Sequence, residues 1–305
     1  MVRMLRQNIQ IGEKMILSQK SNCAIKFGEK RAIELIAEAG FDAVDYTMSN
    51  NAKDGSILAS DNYKSYVKEL CEVAKRNNIA FNQGHAVTDV GIDDPEIAYK
   101  RLAEKNIRCL EIAGLMGMKT LVVHPYGTGI YIGHEEEAFE RNMKYFKLLL
   151  PYAEEYEVKI ACENMWCSDR KRKVRRGSIC ANPYEHARYV DEMNSPFFVA
   201  CLDLGHTAID GREPQDSIRV LGSRLGALHV HDNDYLDDMH TLPGLSEMNW
   251  EEITKALADI NYQGDFTLET NHFYDSFETE EEMKLGLKLS EVIGRKMIRK
   301  IEAYK

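Results

Sequence analysis

Short runs of β-branched and aromatic residues alternate along the chain with longer segments whose apolar residues recur every three or four positions. The short runs are bounded by Gly, Asn or Pro, which is typical of β-strands. The longer segments, such as 96–117 and 136–157, predict amphipathic helices that each pack one face against a core. Seven strands are clear, and they are predicted at 41–48, 79–86, 120–127, 158–165, 197–206, 225–234 and 264–271.

An eighth strand is needed before the first clear helix, 29–40, and residues 15–22 (MILSQKSN) are the candidate. A strand followed by a helix, repeated along the chain, indicates βαβ units and a parallel sheet. Eight such units favour a closed (β/α)8 barrel. A doubly wound open sheet is the alternative, but no strand is followed by a GxGxxG fingerprint. There is no linker or break in composition, so we expect one domain over 1–305.

Composition narrows the class of protein further. The chain has 305 residues, of which 44% are apolar and 29% charged, as expected for a soluble globular protein with a large core. No apolar run approaches the ~20 residues of a membrane span. Residues 1–14 carry basic side chains with no apolar segment after them, so we expect no secretory signal.

Charge and cysteine content suggest the surroundings of the protein. A net charge of −10 disfavours a nucleic-acid partner unless a local basic patch overrides it. The seven cysteines contain no CxxC pair, and we expect reduced thiols, mostly small buried apolar residues, in a cytoplasmic protein.

Histidines are concentrated where the predicted strands end. In a barrel of this kind the active site lies at the carboxyl ends of the strands, so these residues become candidates for binding or catalysis. Two of the nine histidines, His134 and His186, instead stand at predicted helix starts. The other seven are His85, His124, His206, His229, His231, His240 and His272.

Acidic residues follow the same pattern. Glu163 ends the fifth predicted strand, Asp203 the sixth and Glu269 the eighth. A buried carboxylate is costly unless it is paired, hydrogen-bonded or bound to a metal, and a divalent cation relieves the repulsion among several of them. Each residue alone is as well explained by an ion pair, and His229 alone by a satisfied core histidine. Together the four predict a site for one divalent metal ion.

The ligand set indicates which metal to expect. Three carboxylates and one imidazole are mostly hard ligands, which favour Mn²⁺, Mg²⁺ or Co²⁺, with Mn²⁺ as the first choice. Zn²⁺ stays an alternative, because it also takes His and carboxylate in catalytic sites.

Several short motifs resemble one family of barrels. They are VVHP (122–125), ACEN (161–164), LDLGH (202–206), LHVHDND (228–234), DMHTLPG (238–244) and TLET (267–270). Their order and strand placement resemble the xylose-isomerase-like TIM-barrel superfamily over about residues 30–271. That superfamily contains sugar isomerases and epimerases together with the class II AP endonucleases.

The resemblance implies two different metal sets. The isomerases and epimerases hold one divalent metal, which here implies Glu163, Asp203, His229 and Glu269. The family pattern HxxD selects His229, with Asp232 as the second acid, and His231 is expected on the same side of the strand. The AP endonucleases use three zinc ions, and their set would match His85, His124, Glu163, Asp203, His206, His229, Asp238, His240 and Glu269.

Two departures affect the loop after the seventh strand. Sugar-isomerase relatives often have DxHR, whereas Thr241 follows His240 here, and PGLS (243–246) replaces PGEG. Both bring the substrate contacts of this loop into question and leave the four core ligands untouched.

The ligand set suits an isomerase or epimerase that removes a proton next to a carbonyl through a metal-bound enediolate. We expect Glu163 and Glu269 to act as the acid/base pair as well as metal ligands. Trp166 is a candidate for packing on a sugar face, with plain loop packing as the alternative for it and for Tyr126 and Tyr131. The residues expected to bind substrate are His85, His124, His206, His231, Asp238, His240, Trp166 and Arg172.

The segment 169–176 (DRKRKVRR) is strongly basic, with six Lys or Arg in eight residues of an acidic protein. It follows the fifth strand, on the catalytic side. Arg binds phosphate and carboxylate bidentately, so an anion clamp is one interpretation. A nucleic-acid contact, a solvated loop and a subunit contact are the others.

The leading hypothesis is therefore a metal-dependent sugar or sugar-phosphate isomerase or epimerase, with a small-molecule partner, no membrane contact and a homo-oligomer left open. The alternatives are a three-zinc AP-site endonuclease, a lyase or dehydratase acting on a sugar, inositol or C-glycoside derivative, and a barrel that binds sugar without catalysis. Proton abstraction next to a carbonyl begins the isomerase and lyase reactions alike, so the sequence leaves these two undivided.

Overall fold

The computed structural model describes residues 15–49, 53–127, 131–169 and 171–305. Eight parallel strands form a barrel surrounded by helices, which confirms the predicted (β/α)8 TIM barrel. A two-stranded antiparallel hairpin is inserted after the fifth barrel strand. The strands are β1 (Leu17–Lys20), β2 (Ala43–Thr47), β3 (Ala80–His85), β4 (Thr120–Val123), β5 (Lys159–Glu163), β6 (Trp166–Asp169), β7 (Val174–Gly177), β8 (Phe198–Asp203), β9 (Leu225–His229) and β10 (Phe266–Leu268).

The barrel strands follow one another around the sheet in the order β10, β1, β2, β3, β4, β5, β8, β9. Between β9 and β10 the circle is closed by a parallel bridge from Val230 to Leu268. Val230 N donates to Thr267 O at 2.8 Å, and Glu269 N donates to Val230 O at 3.0 Å. The closing contacts therefore bring the ends of β9 and β10 together, where two candidate site residues stand.

The helices lie outside the barrel and bury their apolar faces against it. Several begin with the caps that sequence rules favour: Asp94 and Asn182 accept backbone N–H groups ahead of a proline, and Thr279 forms a capping box with Glu282. The helices are α1 (Glu29–Ala39), α2 (Tyr63–Arg76), α3 (Pro95–Met116), α4 (Glu135–Tyr156), α5 (Pro183–Met193), α6 (Leu204–Ile209), α7 (Pro214–Leu221), α8 (Trp250–Asp259) and α9 (Glu280–Tyr304).

Inside the barrel, one small apolar layer lies below the carboxyl ends of the strands. Val122, Ala161, Cys201 and Ala227 contribute one residue each from β4, β5, β8 and β9 and are fully or almost fully buried. A larger core fills the space between strands and helices. Because side chains alternate along a strand, the residues two positions after this layer point back into the barrel near its mouth.

All eight predicted barrel strands are longer than the observed ones, and β8 shows one cause. Residues 197–206 were expected to form a strand, but β8 ends at Asp203, and the following residues form α6. The cause is local: the Asp203 carboxylate accepts the backbone N–H of His206 at 2.7 Å and caps the new helix. His206 is therefore presented from the first turn of a helix.

The remaining expectations at this level concern the membrane, the cysteines and the amino terminus. In the described part of the chain, no helix combines the length and apolar character that a membrane crossing requires. All seven cysteines are free. The expectation about a secretory signal falls on residues 1–14, and Arg170 of the basic segment is likewise outside the described residues.

Candidate metal centre

Strand alternation explains how three of the predicted ligands come to face one another. Glu163, Asp203 and His229 each stand two residues after a member of the small interior layer, so all three point into the barrel. In register, Asp203 is paired with His229 across β8 and β9. Glu269 follows β10 directly, beside the bridge that closes the barrel.

The four side chains meet at the Nδ1 atom of His229. This atom lies 2.8 Å from Glu163 Oε1, 2.7 Å from Glu269 Oε2 and 4.0 Å from Asp203 Oδ2. One ligand atom from each of the four residues lies within 4.8 Å of the others, and all four residues are buried. The structure thus brings together the complete set that the sequence predicts.

The hydrogen bonding of this cluster fits a cation. A single N–H on Nδ1 of His229 can donate to one carboxylate at a time, and it is directed at Glu163. The second oxygen that it faces, Glu269 Oε2, is left buried without a hydrogen bond. Buried carboxylate oxygens without a donor are costly, and three hard oxygen donors plus one imidazole suit a divalent metal ion. The residues present therefore fit a metal.

Charge in the cluster is strongly coupled. Burial alone would raise the pKa of Glu163, but the imidazoles of His229 and His124 hold it well below its usual range. Burial would likewise lower the pKa of His229, yet Glu269 and Glu163 raise it well above its usual value. A metal ion that takes Nδ1 must displace this proton, so metal binding at the site is expected to release protons.

Two further histidines contact the far oxygen of Glu163. His124 Nε2 lies 2.9 Å and His85 Nε2 3.5 Å from Glu163 Oε2. Burial, with the nearby Lys20 ammonium as the next cause, lowers the pKa of His85 to about 4. These three residues form a second group whose ligand atoms lie within 4.8 Å of one another.

A third group lies on the other side of the cluster. Asp238 Oδ2 lies 3.2 Å from His240 Nε2 and 3.7 Å from His206 Nε2, and it accepts the indole N–H of Trp166 at 3.1 Å. His206 and His240 are oriented through Nδ1 by the carbonyls of Asn164 and Glu269, at 2.7 and 2.8 Å. Burial would lower the pKa of His206, but Asp203 and then Asp238 raise it to about 10.

His231 contacts a predicted ligand directly. Its Nε2 lies 3.0 Å from Asp203 Oδ1, and its ring stacks on that of His240 with the centroids 4.1 Å apart. Seven of the eight residues predicted to bind substrate are therefore gathered around the four-residue cluster.

Arg172 is the eighth, and the structure does not bring it to the cluster. It stands at the turn between β6 and β7, with its side chain 73% exposed and its Nε 3.9 Å from Asp169 Oδ2. Another arginine of the basic segment lies nearer the mouth: the guanidinium of Arg175 lies over the Trp166 ring, 4.7 Å from its centroid, and is paired with Asp237.

Two aromatic candidates have packing partners away from the cluster. Tyr126 donates to the carbonyl of Pro95 and packs against Tyr99 and Tyr145. Tyr131 donates to Glu185. Their placement matches the interpretation of both as packing residues.

Asp232 has a different position from the one that the HxxD motif implies. Its carboxylate faces the loop before α8 and accepts the backbone N–H groups of Gly244, Ser246 and Met248 and the indole N–H of Trp250. It therefore holds the loop that follows Asp238 and His240.

Sequence reasoning missed two residues that contact the cluster, Lys20 and Asp45. Lys20 ends β1, and its ammonium contacts Glu269 Oε1. Asp45 lies in β2, with its Oδ2 3.4 Å from His229 Nε2. Lys20 stands at the carboxyl end of β1, which was a usable signal, whereas Asp45 lies in the middle of β2, and neither residue is preceded by a motif.

Comparison with known proteins agrees with the fold. An uncharacterized protein of Methanocaldococcus jannaschii is 25% identical over 88% of this chain and 87% of its own. The D-psicose 3-epimerase of Enterocloster bolteae is 27% identical over 79% of this chain and 76% of its own. The crystal structure of the IolI protein, which binds a zinc atom, superposes with a TM-score of 0.74 at 18% identity, over 95% of this chain and 99% of that one.

A family model described as a xylose isomerase-like TIM barrel matches residues 33–291, which is most of the chain and includes all four predicted ligands. The chain belongs to the xylose isomerase-like TIM-barrel family.

Proposed function

We propose that the protein is a metal-dependent isomerase or epimerase of a sugar or sugar phosphate. The observation that carries this proposal is the convergence of Glu163 and Glu269 on one nitrogen of His229, at 2.8 and 2.7 Å. Two carboxylates that face each other across a site can remove a proton from one face of a substrate carbon and return one to the other. The curated D-psicose 3-epimerase relative supports the same reaction class.

A divalent ion held by Glu163, Asp203, His229 and Glu269 would stabilise negative charge that develops on substrate oxygens. The protein's own residues supply the remaining functions. Glu163 and Glu269 accept and return the proton, and burial keeps bulk water from competing for it. His124, whose side chain is 23% exposed, and Trp166 lie around the cluster where substrate hydroxyls would be bound.

The test is a screen of ketoses, aldoses and their phosphates with Mn²⁺ or Co²⁺, followed by NMR of the products in D₂O. We expect deuterium at a single sugar carbon together with a changed configuration or carbonyl position, because the abstracted proton exchanges with solvent. Metal-dependent turnover without deuterium incorporation would contradict the proton-transfer mechanism. Glu137→Gln, an exposed residue on α4, is the matched control for changes of the two glutamates.

A second candidate, a three-metal AP-site endonuclease, is favoured by one specific observation. Nine side chains form three groups, and Glu163 belongs to two of them. Each group offers three or four ligand atoms within 4.8 Å of one another. The groups are His85, His124 and Glu163; Glu163, Asp203, His229 and Glu269; and His206, Asp238 and His240.

Metal counting separates the two candidates. One tightly bound ion per chain after dialysis supports the isomerase, because the outer histidines are then free to bind hydroxyls. Three zinc ions per chain together with nicking of abasic duplex DNA would support the endonuclease and overturn our first choice. The net charge of −10 is unfavourable for binding duplex DNA.

A further inference from the structure

Lys20 and Asp45 are two charged residues whose side chains contact the candidate metal ligands Glu269 and His229. They are Cα partners in the register between β1 and β2, so both side chains enter the barrel at the same height. Both are buried, with the Lys20 side chain 6% exposed. Buried Lys and Asp are rare unless they are paired, so each must be explained by its contacts.

The contacts of Lys20 are with the carboxylate of Glu269. Its ammonium meets Oε1, while Oε2 of the same carboxylate faces His229 Nδ1 at 2.7 Å. One oxygen of Glu269, Oε1, is therefore paired with a cation of the chain, and the other, Oε2, faces the candidate metal site. An ammonium on Oε1 also prevents a metal from taking both oxygens.

The contacts of Asp45 are with the other side of His229. Asp45 Oδ2 lies 3.4 Å from His229 Nε2, and the Gln83 side-chain amide donates to the same oxygen at 3.2 Å. Among the described residues the outer nitrogen of His229 has this carboxylate as an ion-pair contact and no hydrogen bond, and a negative charge there makes the inner nitrogen a better ligand. Here the inner nitrogen is Nδ1, the atom at the centre of the cluster.

We propose that Lys20 and Asp45 are positioning residues that tune metal affinity in opposite directions, with Lys20 lowering it and Asp45 raising it. Lys20 acts as a built-in counter-cation for Glu269, and it stabilises the buried carboxylates when no metal is bound. This inference rests on the metal site of the proposed function.

The opposite signs follow from charge. An ammonium and a divalent ion on the two oxygens of one carboxylate are like charges at short range, and their repulsion is strong in a buried site. Removing the ammonium removes that repulsion, so metal should bind more tightly. Removing the charge of Asp45 takes away both an attraction and the orientation of His229, so metal should bind more weakly. The Lys20 change is therefore the discriminating one, because loss of a purely structural side chain would weaken metal binding or leave it unchanged.

The experiment compares wild type with Lys20→Met, Lys20→Arg and Asp45→Asn, and uses Mn²⁺ alone as the probe in titration calorimetry and thermal denaturation. We expect Lys20→Met to bind Mn²⁺ at least about tenfold more tightly and to melt at a lower temperature than wild type in EDTA. Asp45→Asn should bind about 10- to 100-fold more weakly. Lys20→Arg, which keeps the charge, should remain close to wild type.

Lys30→Met is the matched control, since Lys30 is an exposed lysine on α1 paired with Glu69. If Lys20→Met does not fold in EDTA, recovery of a cooperative melt on addition of Mn²⁺ supports the inference, and Lys20→Gln repeats the affinity measurement. If wild type binds Mn²⁺ and Lys20→Met binds it equally or more weakly, the inference is overturned. A wild type that binds neither Mn²⁺ nor Mg²⁺, Co²⁺ or Zn²⁺ overturns the proposed function itself.

Discussion

Glu163 and Glu269 approach the same atom of His229, and this shared contact is the reason to expect both to be essential. We predict that Glu163→Gln and Glu269→Gln each keep the fold and lose turnover by about 10²-fold or more, because an amide can neither accept the substrate proton nor hold the metal as a carboxylate does. Activity on the substrate found by the sugar screen, measured at saturating Mn²⁺, checks this.

Saturating metal is needed because both glutamates are expected to be ligands as well as acid/base groups. Metal content should therefore be measured on the same samples, with Glu137→Gln carried alongside. A mutant with near-normal turnover would remove that glutamate from the acid/base pair, whatever its effect on metal content.

Individual residues were predictable where a motif or a strand end marked them. Glu163, Asp203 and Glu269 each follow an apolar run, and that pattern is visible in the sequence. Lys20 was not predictable in this way, because a lysine at a strand end is usually exposed and its burial depends on Glu269, 249 residues further along the chain. The position of Arg172 was also beyond the sequence, since it depends on which side of a hairpin turn faces the barrel.

The junction between β8 and α6 shows how an element positions a site. The LDLGH motif contains Gly205, and a Cβ at this residue would lie 1.9 Å from Cε1 of His231. That ring holds the Asp203 carboxylate at 3.0 Å. The glycine is therefore required by the close approach of a histidine that follows the neighbouring strand β9, and its backbone has no need of the left-handed region.

We predict that Gly205→Ala displaces His231, misplaces Asp203 and lowers affinity for Mn²⁺ by about tenfold or more. Titration calorimetry measures the effect directly. Gly127→Ala is the matched control, because a Cβ there meets no atom of the described residues within 4 Å. Equal metal affinity in the two variants would show that His231 does not support the ligand.

The strands were predictable as elements because their apolar runs are distinct, and all eight predicted barrel strands overlap those observed. Their carboxyl ends were not, because capping by Asp203 stops β8 and begins a helix within one motif. The β6–β7 hairpin was expected as a loop. Half of its eight strand residues are polar or charged, and all but Gly177 are half-buried or exposed, so no apolar alternation indicates strands.

For the whole molecule, barrel closure is what turns separate strand ends into one site. The bridge from Val230 to Leu268 joins the last two barrel strands and brings Glu269 beside His229, although the two residues lie on different βα units. The small interior layer contributes to this convergence. Because side chains alternate along a strand, each layer residue that points into the barrel is followed two positions later by a site residue that does the same. The periodicity of the sequence predicts the barrel, and the barrel then determines which strand ends, and so which side chains, lie close together.

The same convergence places three carboxylates in the interior of the molecule, so the stability of the whole barrel should depend on metal. A ligand that binds only the native state raises the free energy of unfolding by about 2.7 kcal/mol when its free concentration is 100 times the Kd. For a chain of this size, that increase raises Tm by roughly 5 °C. We predict a rise of this order when Mn²⁺ replaces EDTA in thermal denaturation, and little rise in Asp203→Asn. The control is Asp216→Asn, which changes an exposed side chain of α7. Elemental analysis should show lower metal content in Asp203→Asn. If Mn²⁺ raises the Tm of Asp203→Asn as much as that of wild type, Asp203 is not a metal ligand, because its carboxylate then contributes nothing to metal binding.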